Sequence, residues 1–425
     1  MSDSINSLGL FSPLTLPNGV VLKNRLCKAA MEENLCEWAQ YPGEKLQKLY
    51  TQWADGGAGL ILTGNVMISA DALTGPGGVV LEQGRDLAPF KEWAAAAKSA
   101  DNQVWMQISH PGRQVYAAMG EQAVSASDKG VDIPGFSKLF AKPRTLDEKE
   151  ITALVSRFAD TAELAQEAGF DGCQIHAAHG YLISQFLSPL TNTRDDQYGG
   201  SRENRARFLF EAVAAIRAQV AKEFCVSVKL NSADFQKGGF DLEDAAWVVS
   251  QLNDMGIDLI ELSGGSYESP AMQGNAKDES LSSTLKREAY FIDFARDIAQ
   301  VASVPIMVTG GIRTKQVAQA ALEKDEQGIG VSVLGLARAF AYEPALASSW
   351  QSGASTQVII PNVEWKNKTI SALANMAVTK LQLGRMAKGL KPKPTVNPVI
   401  AIVRDRLLTR YRTKRYQRWR KEANS

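Results

Sequence analysis

Eight short apolar runs, each followed by a stretch with helical periodicity, set the narrowest limit on what this chain can fold into. The runs are Leu26 to Met31, Gly59 to Asn65, Val104 to Ile108, Gly172 to Ile175, Val226 to Leu230, Leu259 to Leu262, Ile306 to Val308 and Gly330 to Leu336. Between them, segments such as Glu148 to Ala168, Glu203 to Val220 and Leu242 to Met255 repeat apolar residues with a period of about 3.6. A run that is apolar throughout suits a strand covered on both faces, and strand–helix repetition makes neighbouring strands parallel. Eight such units in about 350 residues match a closed α/β barrel of the (β/α)8, or TIM, type. An open doubly wound sheet is the alternative. It would place a glycine-rich nucleotide loop after the first strand, and Leu26 to Asn34 contains no glycine.

Ahead of the barrel, Leu14-Thr15-Leu16 and Val20-Val21-Leu22 flank Pro17-Asn18-Gly19, a hairpin signal placed to plug the lower end. The expected division is a barrel over residues 1–355, a connecting segment and linker over 356–395, and a basic amphipathic helix over 396–425. In that last part Asn397-Pro398 is an N-cap and N1 pair, and Ile400, Val403, Leu407 and Tyr411 share one helical face. From Arg385 to Ser425 the chain holds 13 Lys/Arg and 2 Asp/Glu, or +11, within a whole-chain charge of +1. The barrel is therefore near −10, so a general affinity for polyanions is excluded and the cationic charge lies in the tail. Two roles stay open for the tail helix: packing its stripe on the barrel, or touching an anionic membrane surface. Four scattered cysteines, Cys27, Cys36, Cys173 and Cys225, have neither disulfide-scaffold nor metal-cluster spacing, and no metal is expected. Met1 to Gly9 is polar and no apolar run is long enough to span a bilayer, so the expectation is a cytoplasmic protein, with the tail as a peripheral membrane contact.

The chain has 3 histidines, and two of them stand in His176-Ala177-Ala178-His179-Gly180-Tyr181 directly after a strand. In a barrel that position is the C-terminal mouth, where active sites gather. Two imidazoles on a tight loop suit a carbonyl oxygen that gains negative charge, and the Tyr181 hydroxyl is a proton donor near the same point.

With those residues in view, the sequence resembles the Old Yellow Enzyme family of flavin-dependent ene-reductases over roughly Leu8 to Gln351. The most specific stretch is HAAHGYLISQFLSPLTNTRDDQYGGSRENRARF, His176 to Phe208, supported by LKNRL (Leu22 to Leu26), MQISHPGRQ (Met106 to Gln114), TGGIRT (Thr309 to Thr314) and GLARAFAYEP (Gly335 to Pro344). The resemblance implies a barrel that holds FMN non-covalently at its strand ends and passes a hydride from flavin N5 to an activated alkene. NADH or NADPH would be the reductant and an electron-poor alkene or quinone the substrate. No nucleic acid is expected, and a homo-oligomer is allowed. Ala29, Ala30 and Met31, with Asn65, would border the flavin. Gln107 would meet its pyrimidine edge, and Lys229 would set a cation beside N1. Gly310 and Gly311 after strand seven, with Ala337 and Arg338 after strand eight, would hold the phosphate. Tyr198 to Arg205 carries the resemblance but suits a structural role, with Ser201 capping a helix. His110 suits loop ordering as well as it suits substrate contact. Two departures bear on chemistry: Glu32 and Asn34 stand where some relatives carry Cys and Tyr, and an ionised Glu32 would lower the flavin potential. Other readings are a tRNA dihydrouridine synthase-like flavin barrel, against which the HAAHGY segment argues, and a membrane-docked flavin-binding module without ene-reductase activity.

Overall fold

The computed structural model of the chain describes residues 9–265, 268–269 and 284–423. Eight parallel strands close on one another: β1 (Leu26–Lys28), β2 (Leu60–Leu62), β3 (Gln103–Ser109), β4 (Gly172–Ala177), β5 (Cys225–Asn231), β6 (Leu259–Ser263), β7 (Ile306–Thr309) and β8 (Val333–Leu336). Each pairs with its successor, and β8 pairs with β1 through Leu334 opposite Leu26. The expected barrel is thus present. Its outer ring includes α1 (Glu44–Asp55), α2 (Ala88–Ala97), α3 (Glu148–Glu167), α4 (Arg202–Gln219), α5 (Leu242–Leu252), α6 (Thr284–Ala299) and α7 (Lys315–Ala321). Helix α3 starts where Asp147 and Glu150 form a reciprocal capping box, and Ser201 caps α4 by accepting from the Asn204 amide.

The N-terminal hairpin forms with Leu14 opposite Leu22. Leu16 and Leu22 pack with Cys27, Leu60, Trp105, Cys225, Leu259, Met307 and Val333, side chains at the N-terminal ends of the strands. The barrel is therefore sealed below by apolar contacts and opens only at its upper end.

After α8 (Arg338–Tyr342) and α9 (Leu346–Ser352), the segment 356–395 contains a full helix, α10 (Lys368–Met386), and is more than a connector. The tail forms α11 (Pro398–Ala423), and its packing departs from what its periodicity suggests. Ile400, Val403, Leu407 and Tyr411 are 64, 54, 64 and 63% exposed. The helix turns a different face inward: Tyr416 is fully buried with Met67, Leu73, Val80 and Met119. The Tyr416 hydroxyl lies 2.9 Å from both Ala70 O and Glu121 Oε1. Arg415 donates to the carbonyls of Cys36 and Glu37, and Arg420 pairs with Glu121 at 2.9 Å. Burying the Tyr416 ring contributes roughly 2–3 kcal/mol, so the tail is anchored over the loops of the open end. Among the described residues, no helix is long and apolar enough to cross a membrane.

Candidate active site

Strand ends at the mouth carry polar side chains that satisfy one another. Register places Gln174 opposite Gln107, His176 opposite Lys229, and Lys229 opposite Glu261. Gln107 Nε2 donates to Gln174 Oε1 at 2.8 Å, and Gln174 Nε2 donates to Glu261 Oε2 at 2.9 Å. Glu261 Oε1 lies 2.7 Å from Lys229 Nζ, and both side chains are buried. A buried ammonium requires such a partner. Sequence reasoning singled out Gln107 and Lys229; Gln174 and Glu261, which orient them, were the missing links.

The histidine pair sits directly above this ladder. The rings of His176 and His179 have centroids 5.1 Å apart, and the His176 and Tyr181 rings are 4.7 Å apart and perpendicular. His176 Nδ1 accepts from the Ala178 amide at 3.3 Å, which leaves Nε2 to carry the proton and donate. His179 adopts φ 60°, in the left-handed region, where its amide donates to Asn231 Oδ1 at 3.1 Å. Gly180 follows with φ 74°, so the chain makes a tight turn that brings the two rings close together. Ser263 Oγ is 2.9 Å from His179 Nε2 and fixes that ring. Burial, then the neighbouring His179 and Lys229, push the His176 pKa well below its usual value; burial and Lys229 do the same to His179. Both rings are neutral hydrogen-bonding groups at neutral pH. The three residues expected to be catalytic are thus brought together.

The loop after β1 forms another wall. Ala29 is buried, while Ala30 and Met31 are half-buried at the mouth. Beneath them Lys28 is enclosed: its Nζ donates to Leu62 O at 2.7 Å, lies 3.4 Å from Glu33 Oε1 and stands over the Trp53 ring at 4.2 Å. Tyr50 donates to Glu33 Oε1 at 2.7 Å and accepts from the Gly64 amide. Gly64 is required there, because a Cβ would lie 1.9 Å from Glu33 Oε2. This clamp holds the loop that presents Glu32 and Asn34. Glu32 Oε1 accepts from Thr74 Oγ1 at 2.7 Å, and Thr74 in turn receives the Asn65 amide at 3.1 Å. The Asn65 amide is therefore engaged by Thr74. Glu32 also faces a cation that the motifs did not signal, Lys380 of α10. Burial pulls the Lys380 pKa down, and Glu32, Asp405 and Tyr116 more than reverse this, leaving it raised. An ionised Glu32 is thus offset locally.

Beside that wall, and across the barrel from the histidine strand β4, Gly310 and Gly311 follow β7, and Ala337 and Arg338 follow β8. Thr309 Oγ1, at the end of β7, is buried without a hydrogen-bond partner. Gly335 lies beside it, where a Cβ would come within 1.9 Å of that oxygen. Burial lowers the Arg338 pKa, so its guanidinium gains from an anion. An orphaned hydroxyl, two glycines and a partly desolvated arginine fit a phosphate, and the glutamine–lysine ladder fits a flavin ring between that rim and the histidines.

Two other motifs are structural. Asn192 donates to the carbonyls of Phe186 and Tyr198, Arg205 to that of Leu187, and Arg202 pairs with Asp244 at 2.7 Å. His110 is buried, and its Nδ1 accepts from the Gly112 amide at 3.1 Å, which is a loop-ordering contact.

A plugged barrel whose mouth holds neutral imidazoles above a buried lysine and glutamine belongs to the Old Yellow Enzyme class of architectures. The Old Yellow Enzyme homologue of Zymomonas mobilis matches with a TM-score of 0.68 and 26% identity over 83% of this chain and 94% of that one. Morphinone reductase matches with 0.66 and 25%, over 84% and 92%. The chain belongs to the NADH:flavin oxidoreductase / NADH oxidase family, whose model matches residues 9–357. A relative named NADH-dependent flavin oxidoreductase iliE, from Hypocrea jecorina, is 35% identical over 352 residues, 79% of this chain and 86% of that protein. Its namesake from Neonectria sp. (strain DH2) is 36% identical over 87% of this chain but 52% of its own length, so the chain spans about half of that relative. The resemblance carried by the histidine segment is borne out.

Proposed function

We propose that the protein is an FMN-dependent oxidoreductase that uses NADH or NADPH to reduce the activated C=C bond of an α,β-unsaturated carbonyl or nitro compound, or a quinone, in two half-reactions. When bound, FMN supplies the hydride through N5. Ala29, Ala30 and Met31 would border the ring on one side, and Gln107 and Lys229 its pyrimidine edge. Gly310, Gly311, Ala337 and Arg338 would hold the phosphate.

The residues of the chain do the rest. His176 and His179 take the substrate oxygen in a hydrogen-bonding grip that strengthens as negative charge grows on it. Because burial keeps both imidazoles neutral, they donate without adding a proton to the oxygen. Tyr181, against the His176 ring, delivers the proton to the α-carbon. The carrying observation is the 5.1 Å and 4.7 Å spacing of these three rings at one strand end. Donors held ready for a developing oxyanion are worth about 10²–10³ in rate each.

The test is anaerobic. NADH or NADPH should bleach the flavin, and cyclohexenone, a nitroolefin or a quinone should restore its colour. His176→Ala should slow the second step by about 10² or more while the protein stays yellow. A yellow protein whose reoxidation is indifferent to that substitution would refute the reading.

The exposed face of α11 supports a further element, contact with an anionic membrane surface. Ile400, Val403, Leu407 and Tyr411 form an apolar stripe exposed among the described residues, flanked by Arg404 and Arg410 and continued by Lys414 and Arg418. Apolar burial and cation–phosphate attraction would then act together.

A further inference from the structure

Between the loop after β1 and the two C-terminal helices lies a cavity of about 240 Å³. That volume holds about eight waters, or a diphosphate. Its walls carry six cations, from Lys45, Lys380, Lys388, Arg404, Arg412 and Arg415, against two carboxylates, Glu33 and Asp405. Most of the nearby pairing is already accounted for. Glu33 is engaged by Lys28 and Tyr50, Lys45 by Glu37 at 2.8 Å, and Arg415 by two backbone carbonyls. Lys380, Lys388, Arg404 and Arg412 are left around two carboxylates, Asp405 in the wall and Glu32 at the mouth. The described residues offer none of these four side chains a hydrogen-bond acceptor in reach.

For Lys388 and Arg404 that is unremarkable, since water reaches them. Lys380 is half-buried with Glu32 and Asp405 already supporting its charge, whereas Arg412 is half-buried beside Arg415, and a partly desolvated guanidinium there gains from an added anion. Burial, and the neighbouring Arg415, weaken the charged form of Arg412 even though Cys36 and Asp405 support it. The cavity also adjoins the mouth: Lys380 interacts with Glu32 and Tyr116 on one side and with Asp405 on the other. Chain outside the barrel therefore contributes an incomplete cationic cluster at the rim.

We propose that this cavity binds a phosphate or diphosphate group on a ligand whose reacting end reaches the histidine pair. The geometry suits planar guanidinium forks on phosphate oxygens, with Lys380 as a point charge. Two molecules carry that chemistry: the dinucleotide reductant, and an acceptor bearing phosphate. The choice between them rests on the flavin reading above; anion binding itself does not.

The test is calorimetric titration of the full-length, flavin-loaded protein with inorganic diphosphate at low salt. One site is expected, weakened at least about tenfold by Arg412→Gln and largely restored in Arg412→Lys. Arg418→Gln, on the solvent face of the same helix, should bind as the wild type does. If Arg412→Gln does not fold, the exposed pair Lys388→Gln/Arg404→Gln carries the same test. No binding by the wild type at about 10 mM diphosphate, or undiminished binding by the folded variants, overturns the proposal. A raised KM for NADH in Arg412→Gln, with an unchanged KM for a phosphate-free dihydronicotinamide, assigns the cavity to the reductant. Unchanged KM values for both, with diphosphate binding lost, assign it to the acceptor. If diphosphate binds as expected and no nucleotide bleaches the flavin, the cavity stands and the activity reading fails.

Discussion

Replacing Glu261 with Gln tests whether the polar ladder under the histidines is held by charge pairing. Lys229 Nζ lies 2.7 Å from Glu261 Oε1, and the side chains are 4% and 0% exposed. Glutamine keeps the shape and still accepts from Gln174, so the substitution removes little besides one charge. An ammonium left alone in such a place costs about 3–5 kcal/mol. Unfolding entropy of about 2.1 cal/mol/K per residue gives roughly 0.9 kcal/mol/K for 425 residues, so Tm should fall by about 3–6 °C. Replacing both partners, as Lys229→Met/Glu261→Met, removes the two charges together and should recover most of that loss, because apolar replacements of buried pairs are often neutral. Differential scanning calorimetry of the two variants and the wild type at one pH reads both effects. A Glu261→Gln protein melting within about 1 °C of wild type would refute the pairing argument, as would a double variant melting no higher than the single one.

Three further outcomes follow from the same geometry. All three histidines are held neutral by burial, His110 with its pKa pushed down to about 4 and the other two well below the usual value. Below about pH 6.5 the unfolded chain takes up protons that the folded one does not, so stability is complete above that pH and is lost as pH falls toward 4. The slope is about 1.4 kcal/mol per pH unit for each histidine; His110→Asn should remove about a third of the histidine contribution in urea titrations, and an unchanged slope would contradict it. Tyr181→Phe should slow reoxidation by an enone about 10²-fold or more while leaving flavin reduction by NADH alone, which stopped-flow traces separate. Val403→Asp/Leu407→Asp should abolish co-sedimentation with phosphatidylserine vesicles without lowering Tm, because both side chains face solvent; retention on the vesicles would exclude the stripe as the contact.

What could be read from the residues alone was whatever is local. Strand–helix alternation, the Asn-Gly hairpin and the His-x-x-His-x-Tyr turn are each written within a few positions, and all are found where expected. Gln174 and Glu261 were legible in principle but passed over, because the strands were read as uniformly apolar. Polar residues in fact recur at every second position near the strand ends: Gln107 and Ser109, Gln174 and His176, Ser227, Lys229 and Asn231, Glu261 and Ser263. Period two in a barrel strand marks one face, and those positions point into the mouth.

The C-terminal helices show the opposite limit. Periodicity located an apolar stripe on α11, yet a stripe does not say what covers it, and among the described residues its four side chains are more than half exposed. The helix instead packs through Ala401, Arg415 and Tyr416, a mixed face whose Arg415 donates to carbonyl oxygens and whose tyrosine meets a carboxylate. Lys380 is the sharper case, since its electrostatic partner Glu32 lies far away along the chain and only the docking of α10 brings them together. A barrel motif therefore locates the candidate site, while the charge that reaches its rim comes from helices that no barrel motif contains. The barrel near −10 and the tail near +11 are then two halves of one electrostatic arrangement, with the cationic half folded over the open end. Salt should weaken that docking, because Debye screening acts on the partly exposed Arg420–Glu121 pair before it reaches the buried Tyr416 anchor.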